Sequence, residues 1–87
     1  MEKIKKMIAD GQTQKALSLL NEHLANHPED DQAWFLKGNA YRKLGETRLA
    51  LNSYLEAIAI NPDSPAQAAY NMMIRILDFR DSNLYNP

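Results

Sequence analysis

Two histidines, His23 and His27, stand four residues apart in a stretch of helical character, the spacing that lets two imidazoles reach one metal ion. A zinc site needs three or four ligands, and no acid or third histidine is placed to complete one, because Glu22 points in a neighbouring direction. The pair is therefore expected to be structural, with His23 packed and His27 near the last carbonyls of its helix. Serine, histidine and aspartate are all present, yet no stretch resembles the strained turn that presents a nucleophilic serine. The three glycines are scattered, so no glycine-rich loop can cradle phosphate. The absence of cysteine removes thiolate catalysis, disulfides and thiolate-held zinc together. Asp30 and Asp31 fall at a helix start, where the helix dipole accounts for two acids. Catalysis is not expected, nor is a metal or any other cofactor.

The whole chain sets the same limits. Its 87 residues suffice for one small domain, 1–87, with no room for a cleft between two lobes. With 45% hydrophobic and 24% charged residues the composition is that of a folding, globular chain. Ten basic and eleven acidic residues leave a net charge of -1, too little one-sign field to gather nucleic acid or anionic lipid. The basic start reaches Asp10 before any long apolar run, so neither a secretory signal nor a membrane span is expected, and a cytoplasmic location is.

Sliding the chain against itself by 34 residues aligns 11–30 with 45–64, and seven of these twenty positions are identical. They pair Gly11 with Gly45, Thr13 with Thr47, Ala16 with Ala50, Leu17 with Leu51, Glu22 with Glu56, Ala25 with Ala59 and Pro28 with Pro62. Chance accounts for about one or two, so the unit is duplicated. Each unit reads as two helices around a glycine turn. Asp30 or Asp31 caps one helix, Gly45 closes it, and Thr47 caps the next. His27-Pro28 and Asn61-Pro62 end the second helices, and Ser64, Pro65 and Gln67 start another. The spacing predicts five helices, about 2–10, 13–26, 31–44, 47–60 and 65–80, a tail 81–87 and no strand. In the third helix Trp34, Gly38, Tyr41 and Leu44 recur on one line, where a missing side chain lets a partner helix come close.

Trp34, Gly38, Tyr41, Gly45, Ala50, Tyr54, Ala57 and Pro62 resemble the signature of a tetratricopeptide repeat. One unit is complete, the preceding one matches in its second half with His23 where the family prefers Ala, and the last helix looks like one that closes such an array. This makes about two and a half repeats. The resemblance implies an all-α solenoid of antiparallel helix pairs, a right-handed superhelix, whose concave face binds extended peptides or partner helices. It implies a non-catalytic scaffold for protein–protein interaction.

On the third helix Gln32, Phe35, Asn39 and Arg42 share a line distinct from that of Trp34, bordered by Leu36. If the resemblance holds they face the groove: Phe35 and Leu36 for apolar contact, Asn39 for peptide backbone, Arg42 for a carboxylate. Tyr70 and Leu77 of the fifth helix are expected to join them. The clamp of Lys, Asn and Arg by which some family members hold acidic chaperone tails is not reproduced, since Leu36 stands where its middle Asn would be. The fifth helix is apolar over most of its circumference, and Met72, Met73, Ile76 and Phe79 are expected to form a self-association surface, giving a homodimer, unless Leu84 and Tyr85 fold back to cover it. A structural subunit that only oligomerises is therefore the alternative to a peptide-binding module.

Overall fold

A computed structural model describes the backbone of residues 1–85 and the side chains of residues 1–77. Five helices follow one another: α1 (Glu2–Ala9), α2 (Thr13–Asn26), α3 (Asp31–Lys43), α4 (Thr47–Ile60) and α5 (Ala66–Tyr85). No strand occurs among the described residues. Links of three to five residues leave each helix to run back along its predecessor. The array is elongated, 45 × 28 × 18 Å.

The two glycines that join the helices within each repeat act alike. Gly11 has φ 91° and Gly45 φ 81°, the left-handed geometry that ends a helix without a Cβ penalty. After α3, Gly45 N–H donates to Arg42 O at 3.0 Å and Glu46 N–H to Tyr41 O at 2.9 Å, and Gly11 and Gln12 repeat the pattern on Ile8 and Met7. Glu46, already held in that turn, becomes the residue before α4 and makes no side-chain cap, so Thr47 is the first helical residue rather than the cap expected for it. Asp30 caps α3: its Oδ1 accepts from Gln32 N–H at 3.1 Å and Ala33 N–H at 3.4 Å, a cap worth about 1 kcal/mol. Ser64 Oγ accepts from Ala66 N–H at 3.1 Å before α5.

Two apolar clusters fill the array. The first joins α1, α2 and α3 through Met7, Ile8, Ala16, Leu17, Leu20, Leu24, Ala33, Leu36 and Ala40. The second joins α4 and α5 through Ala50, Tyr54, Ala57, Ala66 and Met73. Trp34, Phe35 and Tyr41 of α3 pack against both, so α3 is the hinge of the core. The most extensive packing lies between α3 and α4. Its reason is Gly38, where an added Cβ would come within 3.0 Å of Tyr54 Cδ1, Cε1 and Cζ, with the Tyr54 ring fully buried. The bulky partner of the glycine is thus Tyr54 of the facing helix, while Trp34, partly buried, donates from Nε1 to Pro28 O at 2.9 Å. Leu55 of α4 is exposed.

Candidate functional site

The face between α1 and α3 is concave. A cleft of about 470 Å³ is lined by Lys5, Ile8 and Ala9 from α1 and by Phe35, Leu36, Asn39, Arg42 and Lys43 from α3. The spacing of the α3 residues puts them on one side of the helix, with Leu36 at 2% exposure forming the floor and Arg42 exposed at the rim. Phe35 is half-buried, its ring centroid 6.0 Å from that of Tyr54. Tyr54 O–H donates to Asn39 Oδ1 at 2.5 Å, which fixes the amide and leaves its Nδ2 as the donor available to a peptide carbonyl. Burial raises the Tyr54 phenol above its ordinary value and the Arg42 charge pulls the other way. Lys43 Nζ donates to Ala9 O at 3.1 Å and so bridges the two walls. Lys5 Nζ lies 3.4 Å from Glu2 Oε1, an exposed pair of little energetic weight.

The four α3 residues read from the sequence are therefore together, and the α1 wall is what sequence reading missed. Lys5, Ile8 and Ala9 lie 34 residues before Asn39, Arg42 and Lys43, so the same repeat offset locates them. Tyr70 and Leu77 do not line this cleft. Tyr70 packs against the second cluster, and Leu77, four residues after the buried Met73, is half-buried on that side of α5. The surface expected for self-association divides as well. Met73 is core, at 8% exposure against Tyr54 and Ala57, whereas Met72 and Ile76 are exposed at 56% and 50%. The Phe79 side chain lies outside the described residues. The helix also runs to Tyr85, past the expected end at 80, so residues 81–85 continue α5 instead of folding back over it.

His23 is committed elsewhere. Its Nε2 lies 2.7 Å from Asp30 Oδ2, tying α2 to the cap of α3, and its ring stands 4.8 Å from that of His27. Burial by itself raises the Asp30 pKa, but the hydrogen bond from His23, the N–H groups of Ala33 and Gln32 and the His23 charge together hold the carboxyl below its ordinary value. On α3, away from the cleft lining, Lys37 Nζ sits 4.9 Å above the Trp34 ring, and burial lowers its pKa. No group of three or more His, Asp or Glu positioned for a metal ion occurs among the described residues.

Comparison with known proteins bears on this arrangement. The solution NMR structure of Bacteroides fragilis protein BF1650 superposes with a TM-score of 0.88 and 46% identity, covering 98% of this chain and 87% of that one. The family model for the tetratricopeptide repeat matches residues 32–64, the unit that holds Trp34, Gly38, Tyr54 and Pro62. Residues 32–64 of this chain match the tetratricopeptide repeat. Tetratricopeptide repeat protein 37 of Xenopus laevis is 39% identical over 54 residues, which are 62% of this chain and 4% of that protein. The chain thus spans a small fraction of the length of that relative. Tetratricopeptide repeats generally mediate protein–protein interaction, and proteins of the family are generally non-catalytic scaffolds. No helix among the described residues is long and apolar enough to cross a membrane.

Proposed function

We propose that this tetratricopeptide-repeat chain is a non-catalytic interaction module that holds a peptide or partner helix in the cleft between α1 and α3. The carrying observation is the composition of that cleft: an apolar floor of Ile8, Phe35 and Leu36, an oriented amide at Asn39, and Lys5, Arg42 and Lys43 around it. Apolar contact supplies affinity, while the amide and the cations set orientation. A random twelve-residue peptide library selected on the full chain tests this. Phe35→Ala and Arg42→Ala are each expected to weaken the selected peptides by about tenfold or more. Unchanged binding by both variants would remove the cleft as the site.

A second reading, assembly of identical chains through α5, is favoured by the exposure of Met72 and Ile76. It requires a dimeric mass by light scattering that persists on dilution. The module reading expects the mass of one chain, 9.9 kDa, at every concentration.

A further inference from the structure

The start of α1 and the end of α2 form a second cleft, of about 460 Å³, which shares no lining residue with the one between α1 and α3. Lys3 and Ile4 line it from one side, and Leu19, Glu22, His23 and His27 from the other. The second repeat shows what fills this place. There α3 and α4 run antiparallel, with Gly38 against Tyr54 and, at the far end, Asn61 Nδ2 donating to Asp31 Oδ2 at 3.2 Å. Three residues after Asp31, Trp34 packs on the cluster that contains Ala57, which is 0% exposed. Shifted back by 34 residues, Gly38 and Tyr54 become Ile4 and Leu20, Ala57 becomes His23, and Asn61 becomes His27. Helix α1 begins at Glu2, the position opposite Leu36, so the turn formed by Asp31–Trp34 has no counterpart in α1. His23 is accordingly part-exposed where Ala57 is buried, His27 is exposed where Asn61 is half-buried, and the cleft lies over both histidines.

We propose that this cleft is a docking site for a helical turn of a partner protein that carries an acid and, three residues on, an aromatic side chain. The acid takes the part of Asp31 towards His27, and the ring takes the part of Trp34 over Ile4, Leu19 and His23. Positions three apart share a face of a helix, so a single turn presents both groups. Lys3 and His27 are basic groups at the cleft, and among the described residues Glu22 is the one acid lining it. His23 Nε2 is already held by Asp30 at 2.7 Å. Charge complementarity therefore favours an acid beside His27 and Lys3 over a basic turn, which would find only Glu22. The site is independent of whether the α1–α3 cleft is occupied.

The probe is the turn that the molecule itself uses: an end-blocked peptide with the sequence of residues 30–37, titrated into the isotope-labelled full chain and followed by NMR. Binding is expected with a dissociation constant on the order of 1 mM, moving the Leu19 methyl and His27 ring signals and leaving those of Leu36 in place. Peptides in which the acid matching Asp31 is Asn, or the ring matching Trp34 is Ala, are expected to bind about fivefold more weakly. Adding Asp-Gln-Ala-Trp directly before Met1 supplies the turn within the chain. That extended protein is expected to melt at a higher temperature and to ignore the peptide. Shifts confined to Leu36 and Asn39 place the peptide in the α1–α3 cleft and overturn this site while leaving the cleft reading standing. No shift at about 5 mM peptide, equal binding by the substituted peptides, or undiminished binding by the extended protein overturns it as well. A Leu19 signal that moves with protein concentration alone, with a doubled mass, assigns the cleft to a second copy and overturns the proposal.

Discussion

Gly38 shows most directly how one residue governs the architecture. Its missing Cβ is the space that the Tyr54 ring occupies, and Tyr54 is buried completely, so the ring has nowhere to retreat. Gly38→Ala gains about 1 kcal/mol of helix propensity and loses about 1–3 kcal/mol to overpacking. A net loss of stability is expected in urea unfolding, and a variant as stable as the parent would show that α3 and α4 are less closely apposed. Tyr54→Phe tests the polar side of the same contact. Losing the hydrogen bond to Asn39 is expected to cost about 1 kcal/mol. It should also weaken peptide binding, because the Asn39 amide is then free to turn.

Asp30 carries a pH dependence. Its pKa is lowered in the folded chain, so it contributes stability above its unfolded value of 3.8, and that contribution is lost as pH falls through the lower folded value. Asp30→Asn keeps an amide able to cap α3 but removes the charge beside His23. The parent is therefore expected to be the more stable of the two near pH 5–6, with the gap closing below about pH 3. Urea unfolding of both proteins across that range is the check, and a gap independent of pH would show that the carboxylate charge contributes nothing.

At the scale of elements, α5 is where adjacent residues have opposite fates. Met73 packs on Tyr54 and Ala57, and Met72 beside it is exposed. Met73→Ala is expected to cost about 2–4 kcal/mol, whereas Met72→Ala is expected to change stability by less than about 0.5 kcal/mol. Equal effects would mean that α5 is rotated about its axis from the register described. Sequence letters alone align Gln67-Ala68 with Gln32-Ala33, which puts Met73 opposite Gly38. Burial aligns Ala66 with Ala33 instead and puts Met73 opposite Ala40. Two residues of offset turn a helix by about 200°, enough to exchange groove-facing and core-facing residues. That is why Tyr70 leaves the expected groove and why Met72 and Ile76 are exposed while Met73 is core.

For the whole molecule, the sharing of Trp34, Phe35 and Tyr41 between the two clusters has a thermodynamic consequence. Neither half can lose its packing without exposing rings that the other half also uses. Unfolding is expected to be a single transition, with Trp34 fluorescence and helical circular dichroism giving coincident midpoints. A Trp34 midpoint below the helical one would show that α1 and α2 part from the rest first.

The helical architecture and the repeat could be read from the chain alone, because both rest on short-range rules. Glycine with positive φ closes α1 and α3, proline follows α2 and α4, and apolar residues at helical spacing mark the buried sides. The α3 side of the cleft was legible for the same reason, since Phe35, Asn39 and Arg42 belong to one helix and their common face follows from 3.6 residues per turn. What tertiary structure decided is every relation between helices. It set the α1 wall, the identity of Tyr54 as the partner of Gly38, the His23–Asp30 tie and the rotation of α5. A helix apolar over most of its circumference, such as α5, has only a narrow polar stripe to fix its rotation, so the side chains of α4 pressed against it determine which residues are core and which are exposed.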